Sequence, residues 1–157
     1  MMRRLLHFSA DQRGTSVVEL GFVAPLLAMF LIGMVDISRA VAERLRLEQA
    51  AQRAIERQMQ GQESSATFAN LTTDAATAAG VSTANVTVTP RRECNGATVA
   101  TGAAYATTTC TAGQTDAAYV RVVITKAFTP TFGTRFFPGA NSNGTFTLNG
   151  EAGMRIE

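Results

Sequence analysis

Side chains able to do chemistry are few in this chain and far apart. Its 157 residues include one histidine, two cysteines and no tryptophan. The histidine, His7, precedes the most apolar stretch. Cys94 and Cys110 have no histidine beside them, which excludes a zinc site, and their spacing is unlike the C-x-x-C of redox motifs. No Gly-rich phosphate loop, Ser/His/Asp set or paired carboxylates can be assembled. Lys and Arg total 14 against 12 Asp and Glu, a net charge of +2 with no evident basic face. Nucleic acid is therefore not an expected partner. What remains is a lone carboxylate, Glu19, inside an apolar run, and the cysteine pair. The first suits ion pairing in a membrane and the second a covalent staple. No catalysis, cofactor or metal is expected.

Glu19 is positioned by the run Val17 to Val35, nineteen residues with no other charge. As a helix it measures about 28 Å, close to the hydrocarbon thickness of a bilayer. A helix apolar all round needs lipid or protein on every side, and the rest of the chain is too short and polar to surround it. A membrane span is expected. A carboxylate near a bilayer centre costs about 2.5 to 3.5 kcal/mol, less near an interface. Glu19 either snorkels to the headgroups, favours the positive end of the helix dipole, or pairs with a cation from another chain. Pro25 leaves the Gly21 carbonyl without its helical partner, so a kink or local melting is expected there.

Arg3, Arg4 and Arg13 precede the span like the basic region of an export signal. Three fates compete. A secretory cut would fall after Ala42, where Ala40-Val41-Ala42 supplies small residues; the segment can stay uncut as an anchor; or the cut falls after Gly14 and the helix is retained.

The run Arg13-Gly14-Thr15-Ser16-Val17-Val18-Glu19, then an apolar stretch with Pro25, then Gly33-Met34-Val35-Asp36-Ile37-Ser38-Arg39, resembles the TadE-like pseudopilins of Flp/Tad pilus systems. The resemblance covers roughly the first 60 residues. In such precursors a prepilin peptidase cuts after a glycine and the fifth mature residue is glutamate. Counting from Thr15, Glu19 is the fifth. By this resemblance Gly14 and Thr15 are the processing site, and Glu19 bonds the new ammonium of a neighbouring subunit's Thr15. Leu20 stands where Flp major pilins carry an aromatic residue, which argues against the major subunit. The implied partners are the prepilin peptidase, other Tad pilins and pseudopilins, the inner-membrane assembly platform and membrane lipid.

Beyond the span, Asp36 to Gln60 holds neither proline nor glycine, so one helix of some 40 residues should stop near Gly61. Ala40, Val41, Leu45, Leu47, Ala51, Ala54, Ile55 and Met59 fall within half its circumference, opposite Arg39, Arg46, Arg53 and Arg57. This stripe is expected to seat the remaining domain, with Arg44 and Glu48 inside it as an i,i+4 bridge or a contact to another chain.

After Gly61 the composition turns to Ala, Thr, Ser and Asn. A second helix is expected over Ser65 to Ala79, strands over Val86 to Thr89 before Pro90, over Tyr119 to Phe128 and within Phe146 to Ile156, and a loop around Phe132, Phe136 and Phe137. The fold class is α+β, with a long N-terminal helix, a short helix and a small antiparallel sheet, resembling a pilin. The expected organisation is a leader at 1–14, a transmembrane helix at 15–36, its amphipathic extension at 37–60 and an exported domain at 61–157. Cys94 and Cys110 bracket a Thr-, Ala- and Gly-rich loop. A disulfide is the economical reading and implies an oxidising compartment such as a bacterial periplasm; two free buried thiols are the alternative. Against export, Arg39, Arg44, Arg46 and Arg53 follow the span while Arg3, Arg4 and Arg13 precede it, a bias toward a cytoplasmic C-terminus. The leader and the cysteines outweigh it here.

The expected function is a minor pilin or pseudopilin required for assembly of adhesive Flp/Tad pili, held in the bacterial inner membrane with its C-terminal domain periplasmic or, after assembly, extracellular. A single-pass anchor carrying a periplasmic binding module, with Phe132, Phe136 and Phe137 as contacts, is the alternative.

Overall fold

A computed structural model describes residues 15–60, 68–131 and 139–156. The leader with Gly14, the start expected for the second helix at Ser65, and Phe132, Phe136 and Phe137 lie outside the described residues.

Helix α1 runs over Thr15–Met59, 45 residues without interruption. The absence of breakers after Asp36 explains its continuity into the polar half, and it extends about 67 Å at 1.5 Å per residue. It continues through Pro25. Helix α2 occupies Ala69–Ala79 and ends where Gly80 adopts φ 65°, its N–H reaching back to the Ala76 and Thr77 carbonyls. A residue without Cβ accepts that left-handed conformation at little cost, which is why the helix stops here.

Four antiparallel strands follow: β1 Val86–Cys94, β2 Ala97–Thr101, β3 Asp116–Phe128 and β4 Phe146–Arg155. They form one sheet in the order β2-β1-β3-β4, so the architecture is α+β, with both helices packed against the sheet. Alternation selects the inward face: Val120, Val122 and Ile124 of β3 pack on Leu47, Ala50, Ala51, Ala54 and Ile55 of α1 and on Leu71, Ala75, Ala76 and Ala79 of α2. The heavy use of alanine on both helices permits close approach to the sheet.

Two strand expectations need correction. The first strand does not stop before Pro90; it continues to Cys94. Pro90 pairs with Val120 on β3, while pairing with β2 begins only at Arg91. On that side Pro90 is therefore an edge residue, where a missing N–H is tolerated. The segment between the cysteines is also not a plain loop. It contains β2 and a 3-10 turn over Gly102–Ala106. Asn95 and Gly96, with φ of 52° and 80°, make the two-residue hairpin turn that joins β1 to β2.

Candidate functional site

The N-terminal half of α1 presents an almost wholly bare apolar surface. Phe22 is 80% exposed, and Val17, Val18, Leu20, Leu26, Leu27, Phe30 and Leu31 are exposed with it. Among the described residues one helix is long and apolar enough to cross a bilayer. Thr15 is its first described residue, and Glu19 follows one turn later, exposed. Among the described residues Glu19 makes no ion pair. The bare surface and the single carboxylate are the features a span would show before meeting lipid or another helix.

Past Val35 the helix changes character. Asp36 is only 5% exposed and lies 3.6 Å from the Arg39 guanidinium. Arg39 also donates to Thr131 Oγ1 at 2.9 Å and stands 5.8 Å from the centre of the Phe128 ring. One turn on, Lys126 Nζ donates to Glu43 Oε1 at 2.5 Å, joining the end of β3 to the helix. That ammonium holds the Glu43 carboxyl below its ordinary value, against a smaller upward push from burial. Farther along, Arg57 pairs with Asp74 of α2 at 3.0 Å. The domain is thus riveted to α1 by charge at both ends of an apolar seat.

The seat itself is narrower than the sequence pattern implies. Leu47, Ala50, Ala51, Ala54 and Ile55 are buried, but Val41, Leu45 and Met59 are exposed and belong to a different face. Arg44 and Glu48 form an i,i+4 pair at 3.1 Å within their own helix. The contact that fixes the seat was not signalled in the sequence. A Cβ on Gly150 of β4 would stand 2.4 Å from the Leu47 carbonyl carbon and 2.5 Å from the Glu48 nitrogen. The sheet touches the helix backbone there, and only glycine fits.

Cys94 and Cys110 are joined in a disulfide with Cα atoms 5.6 Å apart. Cys94 pairs with Asp116 at the start of β3, whereas Lys126, near the end of β3, reaches Glu43. The bond therefore lies at the end of the sheet remote from the span, and the structure does not bring it near Glu19. It ties the β1 end to the segment after the 3-10 turn, where the Asn95 side chain also accepts from the Thr115 N–H at 2.8 Å.

On the sheet face turned away from the helices, Arg91 stacks 4.8 Å from the Tyr119 ring centre. Arg121 pairs with Glu151, and Arg155 donates to the Asp116 carbonyl at 3.3 Å. Arg91, Tyr119, Arg121, Glu151, Arg155 and Gly153 line a shallow cleft of about 430 Å³. Among the described residues no three His, Cys, Asp or Glu side chains gather around a possible metal position.

No curated protein and no solved structure matches the chain. The family model described as TadE-like protein matches residues 14–55, from the expected cut site through the bare span to the domain seat. Over that segment, with its lone Glu19 on an uncovered apolar helix, the chain is similar to TadE-like proteins, which is consistent with a protein of the Flp/Tad pilus system.

Proposed function

We propose that this chain is a minor pilin or pseudopilin, cut after Gly14 by a prepilin peptidase and required for assembly of Flp/Tad adhesive pili. It is a peptidase substrate in this reading and not a catalyst. Before assembly it is held in the bacterial inner membrane with its domain in the periplasm, and its partners are the peptidase, other Tad pilins and pseudopilins and the assembly platform. The observation that carries the proposal is the exposed Glu19, one turn from Thr15 on a bare apolar helix. Cleavage after Gly14 creates an ammonium at Thr15. A neighbour's Glu19 would neutralise it and recover the about 2.5 to 3.5 kcal/mol that an isolated charge costs in hydrocarbon. The position of Ala42 supports the same choice among the three fates. It lies in mid-helix, between Arg39 and Glu43, both of which hold the domain, while a protease needs its substrate extended.

The arginine and tyrosine cleft on the free sheet face favours a second reading, a membrane-anchored periplasmic binding module with no role in a pilus. Glu19→Gln separates them, because an anchor tolerates the neutral isostere and pilus assembly does not. The direct test is the intact mass and N-terminal sequence of the protein from membranes of cells with and without the peptidase. A start at Thr15 that depends on the peptidase is expected. A start at Glu43 means secretion, and an uncut chain in both strains means a plain anchor; either overturns the proposal.

A further inference from the structure

We infer that the cleft between α1 and the C-terminal end of β3 receives the phosphate of an anionic phospholipid, in the leaflet from which α1 emerges. The inference rests on the helix spanning a bilayer, as proposed above, and adds a specific headgroup contact to it.

The cleft measures about 570 Å³ and takes Arg39 and Arg46 from the helix and Lys126 and Phe128 from the strand. That is within the usual range for small-ligand sites. Its depth relative to the membrane is set by the continuity of α1. Arg39 follows Val35 by four residues, about 6 Å along the axis, and the headgroup layer on each side of a bilayer is about 5 to 7 Å thick. Arg46 starts farther out, but helical side chains lean toward the helix N-terminus, which here is toward the membrane.

Convergence makes this more than a run of juxtamembrane arginines. The Arg39 guanidinium is held in place by Asp36, Thr131 and the Phe128 ring, so it is ordered before any ligand arrives. Lys126 comes from a different element, 83 residues away in sequence, and meets the helix at Glu43. Three cations thus face one opening. The carboxylate among them, Glu43, is already bonded to Lys126, and Asp36 is buried and does not line the cleft. A phosphate monoanion adds to this set as an acceptor for the guanidinium N–H groups. Phe128, Ala42 and Ala127 supply an apolar wall for the glycerol and upper acyl carbons of the same lipid.

The test uses the full chain reconstituted in nanodiscs of mixed phosphatidylglycerol and phosphatidylcholine, with native mass spectrometry of the lipids that remain bound on release. Preferential retention of phosphatidylglycerol is expected. Arg39→Gln and Arg46→Gln should each reduce it about fivefold, the loss that one cation near an anionic surface represents. The Lys variants at both positions should keep most of it, and Arg53→Gln, farther along the helix, should leave it unchanged. Equal retention of the two lipids, or wild-type retention by the Arg39→Gln/Arg46→Gln double variant, overturns the inference. So does binding of inorganic phosphate to the detergent-solubilised chain as tightly as phosphatidylglycerol, which would make the cleft a free-anion site. A chain that fails to enter nanodiscs at all overturns the membrane span as well, whereas one that inserts without headgroup preference overturns only the cleft.

Discussion

The two halves of α1 are one helix with two kinds of surface. From Thr15 to Val35 its large apolar side chains are exposed on every face, while from Asp36 to Met59 the buried residues form a single stripe and the other faces carry arginines and glutamates. The first half asks only that its surroundings be apolar, and no position in it is singled out by contact. The second half is specified residue by residue, because Leu47 and Gly150 meet at van der Waals limits and Glu43 and Arg57 hold partners on other elements. Substitutions in the two halves should therefore act on different properties: membrane residence and subunit packing for the first, domain stability for the second.

The sharpest way to break that contrast is at Gly150. A valine there places its Cβ inside the α1 backbone, and the helix must separate from β4. We expect a loss above about 4 kcal/mol, beyond ordinary overpacking because a main chain cannot rotate away. Hydrogen exchange of β3 and β4 amides in the detergent-solubilised protein should show protection lost along both strands.

Next in size is the pair Leu47→Ala and Phe30→Ala, which removes a large apolar side chain from each half. Leu47 is fully buried, so its truncation should cost about 3 kcal/mol of domain stability. Phe30 is exposed, and its truncation should change domain stability by less than about 0.5 kcal/mol. Denaturant unfolding of both variants in the same detergent checks the contrast, and equal losses would mean that the two halves are not independent.

The Cys94–Cys110 bond tests the domain alone. Replacing both residues by serine should cost about 3 kcal/mol, the value the chain-entropy model gives for a loop of this size, with no change in membrane partitioning. The intact mass with and without reductant reports the bond in protein from cells.

The same division explains what was legible in the sequence. The long helix could be read because a nineteen-residue run with one charge, followed by a breaker-free polar segment, allows little else. The rotation of the extension could not. Val41, Leu45 and Met59 have the same hydrophobicity and nearly the same spacing as the buried set, and a pattern of alanines marks where approach is possible without saying which face the sheet chooses. The β1–β2 hairpin has a local turn signal in Asn95-Gly96, which the expectation of a plain loop passed over because the Thr- and Ala-rich composition around it hid β2. Pro90 misled because its meaning depends on whether a neighbour strand is already paired at that point. Gly150 and the Glu43–Lys126 contact carry no local signature, since each matters only for what crosses it from 83 or more positions away. For the candidate site, Gly14, Thr15 and Glu19 are a spacing within the sequence itself, whereas the cleft between α1 and the end of β3 exists only once the strand is laid beside the helix.

The smallest effect expected is also the one that tests whether the junction between the halves is held by charge. Glu43 is lowered in the folded chain, first by the Lys126 hydrogen bond and also by the charges of Lys126 and Arg46. A carboxyl with a depressed folded value stabilises the fold fully above its unfolded value, and that contribution is lost as pH falls through the depressed one. Acid should therefore loosen the attachment of the β3 end to α1, while mild alkali leaves it intact. Glu43→Gln should remove this part of the acid dependence and Lys126→Gln should do the same. Because both groups retain solvent contact, screening keeps the effect well below that of Leu47→Ala. Measuring unfolding midpoints from neutral to acidic pH for the three proteins in low and high salt decides it. An acid slope unchanged in both variants would mean that the apolar seat around Leu47 and Gly150, and not the ion pair, fixes the domain to the end of the span.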